Sequence, residues 1–388
     1  MHRRHFLQHT GALLAAPAAA SPARAGPGAT DFAAPSALAP IRATPDRIID
    51  IAVCTRPFRA EGPRIETERR FGKTLVHNYG HGGSGWSLSW GSARQAVAMA
   101  LATGEKRLAV VGCGAIGLTT ARVAQRAGLR VRIYCKERPP EVRSSAATGV
   151  WSPDSRICSS EHATSAFAQR WEAMARSSFR TYQSLLGLPG DPVRWHDSYT
   201  LSDVPFDQAA AAPAGRSGEP DYPDLEELLG DIRQRPVPLA PTQHPFNVPH
   251  VRRHTMMVFN LASYSRLLLE DFFREGGEIV QREFVHAREL GGLRERTIVH
   301  ATGYGARALF GDDSLVPVRG QTARLIPQPE VDYGMAWRGH NLFVVPRRDG
   351  ILVQAQGEHD WNNEDIRVDR ALSEAAVDRL AMAFAPRA

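Results

Sequence analysis

A short apolar stretch at residues 108–111 runs directly into a Gly-x-Gly-x-x-Gly loop at residues 112–117. Residues 115–127 then repeat apolar side chains at helical spacing, and Gly128 follows where a helix commonly ends. A strand, a glycine loop and a helix in this order predict a parallel α/β sheet that binds a dinucleotide. This unit constrains the fold more than any other feature, yet it begins only after residue 105.

Each glycine of the loop has a physical role. Gly112 allows the tight turn, Gly114 lets the backbone approach a diphosphate, and Gly117 permits close packing of helix and strand. The amino end of the helix offers N–H groups and a positive dipole end to the phosphates. An acidic residue for the ribose is expected about 20 residues further on. The residues predicted to bind the cofactor here are Gly112, Gly114, Ala115, Ile116, Gly117, Glu137 and Arg138.

Composition disfavours several other classes of protein. The net charge is +6, but the basic residues are almost all arginine and form no dense cluster with aromatic residues, so we expect no nucleic-acid partner. No apolar run is long enough for a transmembrane helix in the mature protein. The four cysteines lack metal-ligand spacing, so we predict no metal site and free, partly buried thiols.

The first residues are typical of an export signal. Arg3 and Arg4 precede an apolar stretch at residues 11–20, and residues 23–25 form a small-x-small cleavage pattern, Ala-Arg-Ala. The sequence therefore predicts a twin-arginine signal peptide at residues 1–25 and a periplasmic or secreted protein, without stable membrane insertion after signal removal. Residues 26–45, rich in Gly, Ala and Pro, are predicted to be a flexible linker.

Four further segments carry a resemblance to a known family. Residues 77–83 read His-Asn-Tyr-Gly-His-Gly-Gly, residues 144–151 read Ser-Ser-Ala-Ala-Thr-Gly-Val-Trp, residues 301–307 read Ala-Thr-Gly-Tyr-Gly-Ala-Arg, and residues 316–321 read Val-Pro-Val-Arg-Gly-Gln. Together with the glycine loop they resemble the D-amino-acid oxidases, which are FAD-dependent. In that family the glycine loop opens the chain and the His-Asn-Tyr-Gly-His-Gly-Gly segment nearly closes it. The order is reversed here, so the resemblance predicts a circular permutation.

The resemblance implies FAD as the cofactor. Small residues in these segments would let the backbone approach the cofactor closely. Phe284 falls where the family places a hydrophobic residue beside the adenine. The resemblance adds the following residues to the predicted FAD site: Gly82, Gly83, Gly85, Trp86, Ser87, Ser145, Ala146, Ala147, Gly149, Trp151, Phe284, Thr302 and Gly303.

The implied fold is α/β, with a doubly wound, Rossmann-like FAD-binding domain and a substrate domain built on a mostly antiparallel sheet. We predict the FAD-binding domain over residues 75–195 and 250–315. We predict the substrate domain over residues 46–74, 196–249 and 316–388, with an amphipathic helix at residues 365–386. Residues 204–220 are expected to form a loop or lid.

The resemblance assigns three residues to the reaction itself. Arg56 would hold the substrate carboxylate, which suits the planar, permanently charged guanidinium. Gly83 would lie along the flavin, where the backbone of residues 83–87 would stabilise the reduced cofactor. Phe343 occupies the position of a tyrosine whose hydroxyl usually binds the carboxylate as well. No motif selects a replacement for this hydroxyl, and the candidates are Trp337, His340, Gln354 and Tyr199.

The implied reaction is oxidative deamination of a D-amino acid, with hydride transfer to FAD and reoxidation by dioxygen to hydrogen peroxide. Because the tyrosine is missing, two alternatives stay open. One is an FAD oxidase of glycine, sarcosine or another amine. The other is an exported flavin-binding protein without turnover. The oligomeric state also stays open, with a homodimer as one alternative.

Overall fold

A computed structural model describes residues 38–208, 218–355 and 359–385. The predicted signal peptide and the first part of the predicted linker lie outside these residues, as do residues 209–217 of the predicted lid. Within the described part of the chain, no helix has the length and apolar character needed to cross a bilayer.

The described residues form fourteen strands and six α-helices. The strands are β1 (Ile48–Arg59), β2 (Arg64–Arg70), β3 (Lys73–Tyr79), β4 (Arg107–Val111), β5 (Arg130–Cys135), β6 (Val193–Ser202), β7 (Val237–Leu239), β8 (His250–Phe259), β9 (Glu278–Gln281), β10 (Thr297–His300), β11 (Leu315–Leu325), β12 (Gly334–Trp337), β13 (Leu342–Arg347) and β14 (Gly350–Ala355). The helices are α1 (Gly85–Leu101), α2 (Ala115–Arg126), α3 (Ser165–Gln183), α4 (Leu261–Arg274), α5 (Ala306–Phe310) and α6 (Arg370–Met382).

A six-stranded sheet with the order β2-β3-β10-β4-β5-β9 contains the glycine loop. All neighbours except β2 and β3 run parallel, so the carboxyl ends of β3, β10, β4 and β5 meet at one edge. Helix α2 connects β4 to β5, and helix α1 connects β3 to β4 across β10. The parallel α/β unit predicted from the glycine loop is confirmed.

Apolar side chains cover both faces of this sheet. Val76, Val110 and Val299 point to the face on which α1 and α2 pack, with α3 and α4 in the same core. Helix α1 fits closely against α3 because Gly91 has no side chain: a Cβ there would lie 2.3 Å from the carbonyl oxygen of Met174. Residues 287–293 and part of α5 cover the opposite face.

The second sheet has eight strands in the order β1-β11-β14-β13-β12-β6-β8-β7. All neighbours are antiparallel except β12 and β6. One face of this sheet packs on α6 through Val353, Val377 and Leu380. The prediction of a mostly antiparallel second sheet is therefore confirmed, and β1, near the beginning of the described chain, is one of its edge strands.

The predicted domain boundaries need correction at two places. Residues 64–70 were assigned to the substrate domain, but β2 pairs with β3 in the six-stranded sheet. Residues 250–259 were assigned to the FAD-binding domain, but β8 pairs with β6 and β7 in the eight-stranded sheet. Backbone pairing decides these assignments, and the division into two domains itself stays a prediction.

Two local predictions are wrong at their ends. Residues 38–45 are not a free linker, because Ile41 and Ala43 are buried in the core beside α6. The C-terminal helix begins at Arg370 rather than at residue 365, where Asp369 caps it by accepting a hydrogen bond from the Leu372 N–H at 3.0 Å. Ile366 precedes the helix and is exposed.

Strand β6 contains a buried histidine that makes stability depend on pH. Neither ring nitrogen of His196 has a hydrogen-bond partner among the described residues. Burial, with nearby Arg194 and His254, lowers the pKa of His196 to about 3. In the unfolded chain the His196 side chain has a pKa of about 6.5. Below that pH the unfolded chain therefore binds more protons than the folded chain. The contribution of His196 to the free energy of unfolding is therefore complete above about pH 6.5. It decreases by about 1.4 kcal/mol for each pH unit below that value.

We expect His196→Met to reduce the acid sensitivity of the fold. Between pH 8 and pH 5, urea unfolding should show the variant losing about 2 kcal/mol less unfolding free energy than the wild type. The exposed His286 provides the control, since His286→Met should leave the pH dependence unchanged. Equal losses in His196→Met and wild type would contradict the assigned role.

Candidate active site

The glycine loop closes tightly against strand β10. Gly112 has a φ of +111°, and a Cβ there would lie 2.4 Å from the carbonyl oxygen of Ala301. A Cβ at Gly117 would lie 2.1 Å from the carbonyl oxygen of Gly112. Both contacts are with backbone, which cannot move aside. Gly112 is therefore required for the turn, and Gly117 for the close approach of the helix to the turn.

The amino end of α2 opens into a cavity next to this turn. The N–H groups of the first helical turn have no partners within the helix. One of them, at Ala115, donates to the Ser144 hydroxyl at 3.0 Å. The remaining N–H groups of this turn and the positive end of the helix dipole make the amino end of α2 suited to bind a phosphate. Ser144, rather than the predicted Ser145, is the serine in contact with the loop.

The residues after β3 reach the same cavity. Pro57 and Ser155 carbonyl oxygens accept hydrogen bonds from the N–H groups of Gly82 and Gly83, at 2.9 and 3.0 Å. Within the backbone of residues 83–87, which is predicted to stabilise the flavin, the Gly83 N–H is therefore already used by the protein. The next N–H groups belong to the first turn of α1, where Gly85 lines the cavity.

Two side chains join α1 to the loop that follows β5. Trp86 Nε1 donates to the Ser144 carbonyl oxygen at 2.8 Å, and Ser87 Oγ accepts from the Ser152 N–H at 2.8 Å. Both bonds are partly buried. Residues 86 and 87 thereby attach the segment before the glycine loop to the segment after it.

The cavity has a volume of about 930 Å³, within the range of small-molecule and cofactor sites. Both sheets contribute to its wall. Most of the predicted site residues line it: Arg56, Gly82, Gly83, Gly85, Trp86, Gly112, Gly114, Ala115, Ile116, Glu137, Ala146, Ala147, Phe284, Thr302, Gly303 and Phe343. Residues that lie more than 200 positions apart in the chain are thus brought to one cavity.

Six predicted cofactor residues do not line the cavity: Gly117, Arg138, Ser145, Ser87, Gly149 and Trp151. Gly117 packs against the Gly112 carbonyl, and Ser87 Oγ accepts the hydrogen bond from the Ser152 N–H. Gly149 and Trp151 belong to a turn that pairs with β8, with Trp151 N–H donating to the Met257 carbonyl at 2.9 Å. Trp151 is buried against Phe179. In the structure these two residues have a role in packing, and their contact with the cofactor stays a prediction.

Arg56 lies on β1 and lines the cavity. Its Nη1 donates to the Arg319 carbonyl oxygen at 2.9 Å. The guanidinium occupies the space above Gly320, where a Cβ would lie 2.4 Å from Nη1 and 2.6 Å from Cζ. The absence of a side chain at position 320 therefore allows Arg56 to take this position. The sequence contained Gly320 in a family motif, but gave no signal for this contact.

The buried histidine of the segment before α1 is neutral. Burial, with a smaller effect of Arg170, lowers the pKa of His81 to about 3. Its Nε2 is 2.8 Å from the Ser92 hydroxyl, which donates to Asn78 Oδ1 at 2.5 Å. The histidine therefore contributes a hydrogen bond and no charge to the wall of the cavity.

These features fit a bound FAD. The glycine loop and the amino end of α2 would hold its diphosphate, while Glu137 and Phe284 line the cavity where a ribose and an adenine would lie. Beside the remaining space, residues 82–86 present mainly backbone, and Trp86 is the one large side chain among them. Sequence reasoning missed Ser144 and Thr322 as lining residues, since other positions of their segments carried the motif. Gln354, which also lines the cavity, was one of four candidates to replace the tyrosine hydroxyl.

Comparison with known proteins identifies the family. The model of the FAD dependent oxidoreductase family (DAO) matches residues 107–387. The chain therefore belongs to this family of FAD-dependent oxidoreductases, and FAD is its cofactor.

Curated relatives resemble most of the chain at modest identity. The D-amino-acid oxidase of Dictyostelium discoideum is 25% identical over 284 residues, which are 72% of this chain and 73% of the relative. That of Rubrobacter xylanophilus is 28% identical over 291 residues, 72% of this chain and 78% of the relative. Among solved structures, the glycine oxidase of Geobacillus kaustophilus matches with a TM-score of 0.49 and 14% identity, covering 72% of this chain and 78% of that one.

We predict that Gly117→Ala impairs FAD binding. The new Cβ would meet the Gly112 carbonyl at 2.1 Å, so the turn that presents N–H groups to the diphosphate must shift. The flavin-to-protein absorbance ratio of purified, folded protein should fall at least several-fold. Gly292→Ala is the matched control, because a Cβ there meets no atom within 4 Å. Full flavin occupancy in Gly117→Ala would contradict this account of the loop.

Proposed function

We propose that the protein is an oxidase that deaminates a D-amino acid to an imino acid, with reduction of dioxygen to hydrogen peroxide. The observation that carries the proposal is the position of Arg56. Its guanidinium lines the same cavity as the glycine loop and is fixed by Arg319 and Gly320. The names of the relatives from Dictyostelium discoideum and Rubrobacter xylanophilus support the choice of substrate class.

The protein's contribution to this reaction is orientation and electrostatics. Arg56 would bind the α-carboxylate through its planar, doubly donating guanidinium and so fix the α-carbon. Bound FAD supplies the acceptor for the hydride of the Cα–H bond, while the amine loses a proton. The first turn of α1 presents the positive end of a 17-residue helix to the cavity. This helix end favours negative charge at that side of the site.

Anaerobic titration tests the proposal. Purified protein is mixed with a panel of D-amino acids, with the L-enantiomers, glycine and sarcosine as comparisons, and the oxidised flavin band is followed. We expect at least one D-amino acid to bleach the band and its L-enantiomer to leave it unchanged. Glycine and sarcosine belong in the panel because phenylalanine stands at position 343, where the family usually has a tyrosine that binds the substrate carboxylate. A flavin that no D-amino acid bleaches contradicts the proposal.

We predict that Arg56→Ala raises the apparent KM about 100-fold and slows flavin reduction, since a charge-assisted bidentate contact is lost. Gly320→Ala should produce a smaller rise, about tenfold, because its Cβ displaces the guanidinium without removing it. Stopped-flow reduction measures both effects, and flavin content should stay at the wild-type value in each variant. Unchanged kinetics in Arg56→Ala would exclude the assigned role.

We also propose that the chain is a circular permutant of its family. Three observations support this. The family match begins at residue 107, at the start of β4. Residues 82–86, which precede it, line the cavity together with residues 112–116. The proposed original ends lie in the exposed turn that joins α1 to β4, and Ile41 shares a core with Leu380 at the other junction.

A rearranged chain tests the permutation. It would begin at Lys106, continue to Ala385, cross a short Gly/Ser linker to residue 38 and end at Thr103, so that Ile41 and Ala43 stay in the core. We expect this chain to bind FAD and to be bleached by the same substrates as the natural order, because its new ends lie in the exposed turn between α1 and β4. The control places the new ends inside β10, between Ile298 and Val299, where both residues are fully buried. A rearranged chain that folds no better than this control would contradict the proposal.

A further inference from the structure

One row of side chains crosses the eight-stranded sheet at the substrate end of the cavity. Gln354 on β14 pairs with Thr322 on β11 at one side and with Phe343 on β13 at the other. Phe343 pairs in turn with Ala336 on β12. Directly paired residues of antiparallel strands project to the same face. All four residues line the cavity, so this face is turned toward the site.

Arg56 reaches the same face from the neighbouring row. Its guanidinium lies above Gly320, two residues before Thr322 on β11. Two residues along a strand span about 7 Å, and side chains two apart share a face. The guanidinium and the Gln354 carboxamide therefore flank the Thr322 position. A carboxylate with a hydrogen bond of about 2.9 Å on each side spans such a separation.

The other three polar candidates near the missing tyrosine hydroxyl are directed elsewhere. Tyr199 and Trp337 belong to the core that packs on α6. Trp337 also lines part of the cavity, but it follows Ala336 on β12, so its side chain projects to the opposite face of the sheet from the row. His340 stacks on Trp337 and lies 2.6 Å from an Asp203 carboxylate oxygen, in the connection between β12 and β13. Only Gln354 of the four has its side chain in the row that contains Phe343.

Gln354 has an unused hydrogen-bond donor. The residue is 4% exposed, and its Nε2 is buried without a hydrogen-bond partner among the described residues. A buried N–H group without an acceptor is unfavourable, and most such groups in native proteins are paired. Rotation about χ3 of glutamine is soft, so the N–H can turn toward an acceptor that enters the cavity.

We propose that Gln354 donates the second hydrogen bond to the substrate carboxylate, in place of the tyrosine hydroxyl absent at Phe343. Arg56 provides the charge, and the Gln354 carboxamide fixes the orientation of the carboxylate from the other side of Thr322. This inference rests on the proposed function for the identity of the substrate, and it concerns only the carboxylate, which every candidate amino acid carries.

The test uses FAD-loaded protein and two readouts. The first is binding of propionate, a carboxylate without the amine, followed by the change that it causes in the flavin absorption spectrum. The second is KM and kcat with the D-amino acid that bleaches the wild type best. Gln354→Met keeps the length of the side chain and removes its hydrogen bonds. We expect the propionate Kd and the KM to rise about tenfold, the size of one hydrogen bond to a charged group, with a smaller change in kcat.

A second variant separates hydrogen bonding from packing. In the double variant Gln354→Met with Phe343→Tyr, a hydroxyl returns on the adjacent strand, directly across from position 354. We expect this variant to recover most of the lost propionate affinity. The control Gln281→Met makes the same exchange at an exposed strand residue outside the cavity and should leave both readouts unchanged. Flavin content and melting temperature verify that each variant is folded.

Three results would overturn the inference: no propionate binding by wild type, equal propionate affinity in Gln354→Met and wild type, or a loss that tyrosine at position 343 does not restore. Failure of the proposed function is distinguishable from these. In that case no D-amino acid bleaches the wild-type flavin, while the propionate arm still decides the role of Gln354.

Discussion

The parallel pairing of strand β10 with both β3 and β4 determines where the site lies. His77 at the end of β3 pairs with His300, and His300 pairs with Val111 at the end of β4. Because parallel strands end at the same edge, the segments that follow them meet there. Gly112 then packs on the Ala301 carbonyl so closely that no side chain fits between them. Segments that are far apart in the chain form one cavity through these pairings.

The substrate end depends in the same way on a glycine. The Arg56 guanidinium takes the space that a side chain at position 320 would fill, and the Arg319 carbonyl holds it there. The strand β11 thus positions a charge that belongs to its neighbour β1. With phenylalanine at position 343, this face presents the Arg56 guanidinium and the carboxamide of Gln354, whose Nε2 has no partner among the described residues. A carboxylate complements both groups.

The sequence predicted those features that local chemistry controls. Glycine spacing after an apolar strand identified the turn at Gly112, and an arginine in a family motif identified Arg56. Tertiary packing decided what the sequence could not show. Gly149 and Trp151 lie in a motif that suggested cofactor contact, yet backbone pairing with β8 buries the Trp151 ring against Phe179. The Gly83 N–H is already used by Ser155, a residue with no sequence signal for that contact. The role of Gln354 appeared only once strand register showed which face it shares with Phe343.

A crystal structure of the FAD-loaded protein with propionate tests the central claim most directly, namely that segments before and after the glycine loop enclose one cofactor and one carboxylate. The account predicts the diphosphate at the amino end of α2 and the flavin ring beside residues 82–86. It also predicts the carboxylate between Arg56 and Gln354. A flavin ring placed away from residues 82–86, or a carboxylate that does not contact Arg56, would contradict the account.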